Sequence, residues 1–145
     1  MRTRRFAMRA MVAGALFAVV LAAEACGYCI EDRVAAVYDQ AVVDSALAQG
    51  RRVVFFGLEG SPRMSGAARR AVLAALDGSG TVRGSARVNL ENAAAAVAYD
   101  PARTNPGALA LSADRALAPL GLKLEALRVT DAAGKLTDPD RPGSR

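Results

Sequence analysis

The chain has 145 residues, no histidine and two cysteines, and its 19 Lys and Arg residues exceed its 14 Asp and Glu residues by a formal charge of +5. The lack of histidine removes the usual base for a serine nucleophile, and a closed tetrahedral zinc site would need ligands from another molecule. Most of the positive charge lies near the N-terminus, because residues 26–145 hold 15 basic and 13 acidic side chains. That near-neutral stretch, which has no tryptophan, predicts no nucleic-acid partner.

The first 25 residues have the three parts of a secretory signal peptide. Residues 1–9 contain four arginines and no acid, residues 10–23 form one apolar run, and Ala23-Glu24-Ala25 is a small-x-small cleavage triplet. The apolar run is shorter than the roughly 20 residues of a spanning helix, so we expect cleavage, no membrane span afterwards, and a periplasmic or secreted product. A lipoprotein anchored through Cys26 is less favoured, because Glu24 fits poorly among the small apolar residues that usually precede a lipidated cysteine.

Residues 26–50 are predicted to contain a Cys-x-x-Cys pair followed by an amphipathic helix. From Glu31 to Gln49, apolar residues recur at steps of three and four, and Gly50 suits the position just after a helix end. Cys26 and Cys29 therefore lie at or just before a helix N-terminus. If that turn is helical, their spacing of three places both side chains on the same side.

Residues 51–130 are predicted to form the main domain. The pattern predicts in turn a strand, a helix, two strands joined at Glu91-Asn92, a helix introduced by Asn105-Pro106, and a last strand. This order is the ferredoxin-like βαββαβ sandwich, an α+β fold, here with an additional N-terminal helix. Residues 131–145 are predicted to be a disordered tail. The expected elements are strand 53–58, helix 67–76, strands 86–90 and 94–99, helix 106–118 and strand 122–129.

From Val53 to Val129 the chain resembles the heavy-metal-associated domain of copper chaperones and metal-transporting ATPases. The matching features are the strand that ends at Gly60, the central segments 86–90 and 96–101, and Gly121-Leu122 after the last helix. The resemblance implies a ferredoxin-like fold and a soft-metal site in a Gly-Met-x-Cys-x-x-Cys loop after the first strand. In this chain Arg63 and Gly66 occupy the two cysteine positions of that loop, so the family's ligands are absent from it.

Three interpretations of Cys26 and Cys29 remain open. Thiolates are soft ligands that select Cu(I) or Zn(II), and the Cys26 α-amino group or the Met64 thioether could complete a Cu(I) site. An exported protein also meets an oxidising environment, so the pair could form a structural disulfide, although so small a loop gains little stability. Cys-Gly-Tyr-Cys also occurs in thioredoxin-fold redox proteins, but there a strand precedes it, whereas here the leader does.

The preferred hypothesis is therefore a non-enzymatic protein that binds, and delivers, a soft metal such as Cu(I) through Cys26 and Cys29. Its partners would be the metal and a metal-handling or redox protein. The alternatives are a non-catalytic interaction module with a structural disulfide and a thiol-redox protein, and a homodimer is among the expected partners. Four acids on the N-terminal helix offer a hard-cation face, although exposed helical acids usually serve solvation only. These acids are Glu31, Asp32, Asp39 and Asp44.

Overall fold

The computed structural model describes residues 29–61 and 63–141. The predicted signal peptide and Cys26 lie outside these residues. The helices are α1 (Ile30–Val37), α2 (Gln40–Ala48), α3 (Gly66–Leu76) and α4 (Pro106–Leu117). The strands are β1 (Arg52–Glu59), β2 (Arg87–Asn89), β3 (Ala94–Tyr99), β4 (Lys123–Thr130) and β5 (Leu136–Thr137).

The five strands form one antiparallel sheet in the order β2-β3-β1-β4-β5. The order of the first four, with α3 after β1 and α4 after β3, is the ferredoxin-like arrangement, and it confirms the predicted α+β fold. Local signals fall where they were expected. Asn105 caps α4, with Pro106 as its first residue, and Gly50 and Gly121 adopt the left-handed conformation after helices.

Each face of the sheet carries a separate apolar core. Side chains alternate between the faces of a strand, so Val54, Phe56 and Leu58 pack beneath α3 and α4. Val53 and Phe55 point the other way and pack beneath α1 and α2. The additional N-terminal segment thus covers the sheet face that α3 and α4 leave open. Among the described residues, no helix has the length and apolarity needed to cross a membrane.

The predicted helix over residues 31–49 is two helices. Tyr38 and Asp39 adopt extended backbone conformations, and the Asp39 carboxylate accepts hydrogen bonds from the N–H groups of Ala41 and Val42. An aspartate in this conformation satisfies the free donors of a new helix, so it starts α2 where the apolar pattern alone predicted continuity. The Tyr38 ring stacks on Phe55, with centroids 5.9 Å apart, which holds the break against the sheet.

Part of the predicted tail is structured. Asp131 starts a turn in which its carboxylate accepts from the N–H groups of Ala133 and Lys135, and Gly134 adopts a positive φ. The chain then pairs with the end of β4 as β5. β5 is only two residues long and forms by pairing with β4. So short a strand leaves no recognisable apolar pattern, and the composition of the segment therefore predicted disorder.

Candidate metal centre

Cys29 is the N-cap residue of α1 and is exposed to solvent. Its carbonyl accepts hydrogen bonds from the N–H groups of Asp32 at 3.0 Å and Arg33 at 3.2 Å, which close the first turn. The prediction that the cysteines lie at a helix start is confirmed for Cys29. Cys29 thus presents a soft sulfur ligand type to solvent at the start of α1.

Arg33, one turn into α1, fastens this end of the helix to β1. Its side chain is only 14% exposed, and its guanidinium donates to the Leu58 carbonyl at 3.1 Å and to the Glu59 carboxylate at 3.2 and 3.3 Å. Gly57 provides the space, because a Cβ there would lie 2.7 Å from Nη1 of Arg33. The guanidinium therefore lies directly on the β1 backbone.

This contact locates Cys29 relative to the loop that resembles the family's metal site. Leu58 and Glu59 are the last residues of β1, and the connection to α3 leaves from there. The first turn of α1 is thus at the loop end of the sheet. The loop continues into α3 on one face, however, while α1 packs on the opposite face. Cys29 therefore lies at the end of the sheet from which the connection to α3 leaves, but on the opposite face.

The loop itself has the geometry of a helix connection. Gly60 has a φ of 111°, and a Cβ there would overlap the carbonyl oxygen of Gly121. The Ser65 hydroxyl caps α3 by accepting from the N–H of Ala68. Arg63 and Met64 are exposed, Met64 at 61%. Arg63 and Ser65 help to line a groove of about 550 Å³ that also borders Leu120.

Cys29 and Met64 are the only residues with a sulfur atom in the described part of the chain. Cys29 begins α1 and Met64 lies just before α3, and these two helices pack on opposite faces of the sheet. The Arg63–Gly66 loop contributes no thiolate.

Three of the four acids that suggested a hard-cation face contact other protein groups. Glu31 pairs with Arg128 at 3.2 Å, Asp39 with Arg87 at 2.9 Å, and the Asp44 carboxylate accepts from the Gln40 amide. The Arg87 guanidinium lowers the pKa of Asp39 below its usual value, and the N–H of Val42 adds to this effect. Within residues 29–61 and 63–141, no group of three or more His, Cys, Asp or Glu residues is arranged to hold a metal ion.

Arg33, Gly57 and Glu59 are residues beside the candidate site that the sequence analysis did not select, and they hold the first turn of α1 on β1. Apolar periodicity gave no reason to select Arg33, which reads as an ordinary solvated position of an amphipathic helix. Gly57 offered a signal, because it lies between the bulky residues Val53-Val54-Phe55-Phe56 and Leu58 of the same strand. A glycine inside a strand often marks close approach by another group, and here that group is a guanidinium.

Two solved structures are similar to about half of this chain. A copper binding domain from HMA7, a P-type ATPase, is 25% identical over 52% of this chain and 92% of its own, with a TM-score of 0.43. Oxidized MerP from Ralstonia metallidurans CH34 is 22% identical over 52% of this chain and 96% of its own, with a TM-score of 0.41. No protein-family model and no curated protein matches the sequence. Because both TM-scores are low, the ferredoxin-like assignment rests on the order of helices and strands in this chain.

Proposed function

We propose that this protein is exported and binds a soft metal ion such as Cu(I) through Cys26 and Cys29. The observation that carries the proposal is the position of Cys29, exposed at the start of a helix that is fixed to the end of β1. Two thiolates three residues apart can bind one ion, and a helix N-terminus favours the thiolate form. Cu(I) is preferred to Zn(II), since the chain has no histidine to complete a closed tetrahedral site.

The same exposed position supports delivery of the ion to a partner. A site at an exposed helix start can be reached by a second protein without any opening of either apolar core. A dithiol from a partner could therefore approach the bound ion and exchange with Cys26 or Cys29. The partner that fits is a metal-handling protein with its own soft ligands.

The test uses protein expressed from the full chain and purified anaerobically after export. Intact mass identifies cleavage after Ala25, lipidation of Cys26, or a disulfide. The reduced protein is then titrated with Cu(I) against a competing chelator. We expect one bound ion per chain, and we expect the double variant Cys26→Ser with Cys29→Ser to lose this binding while Met64→Leu retains it. Unchanged affinity in the double variant would rule out the dithiol as the metal site.

A further inference from the structure

A pocket of about 270 Å³ lies between α2 and the segment of residues 77–86 that connects α3 to β2. Arg51 follows α2 and Arg83 belongs to the connecting segment, so each of these two elements brings one arginine to the pocket. The apolar wall consists of Val42, Ala46, Val82 and Ala98. We propose that this pocket binds a small carboxylate with an apolar body, whose carboxylate group is held by Arg51 and Arg83. The proposal does not involve the cysteines and goes beyond metal binding.

Hydrogen bonds between the connecting segment and β3 fix one side of the pocket. The N–H of Val82 donates to the carbonyl of Ala98 at 2.8 Å. The Ser85 hydroxyl accepts from the N–H of Ala98 at 3.0 Å and donates to the carbonyl of Val82 at 2.6 Å. The backbone polar groups of Ala98 are therefore satisfied within the protein, and this side of the pocket offers a ligand a preformed apolar surface.

Arg51 and Arg83 both lie at turns of the backbone. The N–H of Arg51 donates to the Ala46 carbonyl at 2.9 Å, and the preceding Gly50 has a φ of 69°, which turns the chain out of α2. Arg51 is half-buried, whereas Arg83 is exposed and is followed by Gly84, which also has a positive φ. The two residues are thus held at the pocket by separate turns.

The guanidinium groups of Arg51 and Arg83 have no acceptor among the described residues. The ion pairs in this part of the chain belong to three other arginines, Arg33, Arg87 and Arg128. No described residue that lines the pocket is acidic. A basic residue after a helix end complements the helix dipole, which would account for Arg51 alone. That role does not apply to Arg83, so two arginines around one pocket favour an external anion.

A carboxylate with a short hydrocarbon body fits this combination of groups. A guanidinium presents parallel N–H donors that match the two oxygens of a carboxylate. The apolar wall favours a hydrocarbon body over a bare inorganic anion, which would leave that surface in contact with water. The volume of about 270 Å³ restricts the ligand to a small molecule. Benzoate combines one carboxylate with one apolar ring and therefore serves as the probe.

The test titrates the exported, metal-free protein with benzoate, benzamide or inorganic phosphate at physiological ionic strength and follows the amide resonances by NMR. We expect saturable binding of benzoate that shifts the resonances of Gln49, Val82 and Gly84, which line the pocket. Benzamide has the same ring without the charge, and phosphate has charge without the ring. Each should therefore bind at least about tenfold more weakly than benzoate.

Two variants test the arginines. Arg51→Gln and Arg83→Gln each remove one guanidinium, and each should weaken benzoate binding about tenfold, because hydrogen bonds to charged groups contribute more than neutral ones. The matched control is Arg69→Gln, which removes an exposed arginine of α3 on the other face of the sheet and should leave the affinity unchanged. Urea unfolding confirms that each variant is folded, and if one pocket variant fails to fold, the other still decides.

The proposal fails if benzoate does not bind saturably or shifts only resonances outside the pocket. It also fails if benzamide binds as tightly as benzoate, since the charge would then have no role. Tighter binding of phosphate than of benzoate would contradict the role of the apolar wall. Equal weakening by Arg69→Gln would show that the net charge of the protein, and not the pocket, attracts the anion.

Discussion

Thr130 and Ser85 are buried polar residues that take the place of backbone hydrogen-bond partners. The Thr130 hydroxyl accepts from the N–H of Val53 at 2.8 Å. The Ser85 hydroxyl accepts from the N–H of Ala98 at 3.0 Å and donates to the Val82 carbonyl at 2.6 Å. A buried N–H group without an acceptor costs free energy. These two hydroxyls supply acceptors for the N–H groups of Val53, near the start of β1, and Ala98, near the end of β3.

Thr130→Val should lower the free energy of unfolding by about 1–3 kcal/mol, because it keeps the shape of the side chain and leaves the Val53 N–H without an acceptor. Urea unfolding monitored by circular dichroism measures the change, with the slope expected to stay constant. Thr137→Val is the control, since its hydroxyl is only partly buried and donates to the Val129 carbonyl. Equal losses in the two variants would contradict the role assigned to Thr130.

At the scale of elements, the break between α1 and α2 depends on Asp39, which joins three segments. Its carboxylate caps α2 and accepts from Nε of Arg87 in β2. Arg87 is the largest influence that lowers the pKa of Asp39 below its ordinary value of 3.8, followed by the Val42 N–H, while burial opposes them. The folded chain therefore holds the ionised form of Asp39 more strongly than the unfolded chain does.

The sign of the pH dependence follows from this lowered pKa. Between the folded pKa and 3.8 the unfolded state binds more protons, so the contribution of Asp39 is complete above about pH 5 and is lost as the pH falls through the folded pKa. Asp39→Asn keeps a capping oxygen and cannot ionise. We expect the wild type's stability advantage over this variant to shrink from about pH 5 towards about pH 2, measured by urea midpoints. A constant difference over that interval would contradict the ion pair.

The close approach of α1 to the sheet depends on alanines in β3. Ala94, Ala96 and Ala98 are all buried on the α1–α2 face, at the centre of the second core. Ala96→Leu should force α1 away from β3 and lower the free energy of unfolding by about 1–3 kcal/mol. Ala74→Leu on the exposed side of α3 is the matched control, where we expect a change within about 0.5 kcal/mol. Thermal or urea unfolding of both variants measures the difference.

At the scale of the whole molecule, the ferredoxin-like order could be predicted because each of its segments carries a local signal. β1 is a run of β-branched and aromatic residues, and α4 begins at Asn105-Pro106. The break at Asp39 was missed because the apolar stripe continues through it, from Val37 in α1 to Val43 in α2. Both helices cover one face of the same sheet, so periodicity could not reveal where the first one ends.

The surroundings of Cys29 could not be predicted from the sequence. The spacing of Cys26 and Cys29 is visible in the sequence, whereas the contact between the Arg33 guanidinium and Gly57 joins positions 24 residues apart. Such a contact depends on α1 packing on the sheet face opposite α3. The location of Cys29 at the loop end of β1 likewise follows from that packing, and no local pattern encodes it.

X-ray absorption at the copper edge of anaerobically loaded protein tests the central claim most directly. One equivalent of Cu(I) is added to the exported, reduced protein, and the same measurement is made on Cys29→Ser. The account predicts a first shell that includes two thiolate sulfurs in the wild type and a loss of sulfur in the variant. Identical spectra from the two proteins would contradict a metal centre formed by Cys26 and Cys29.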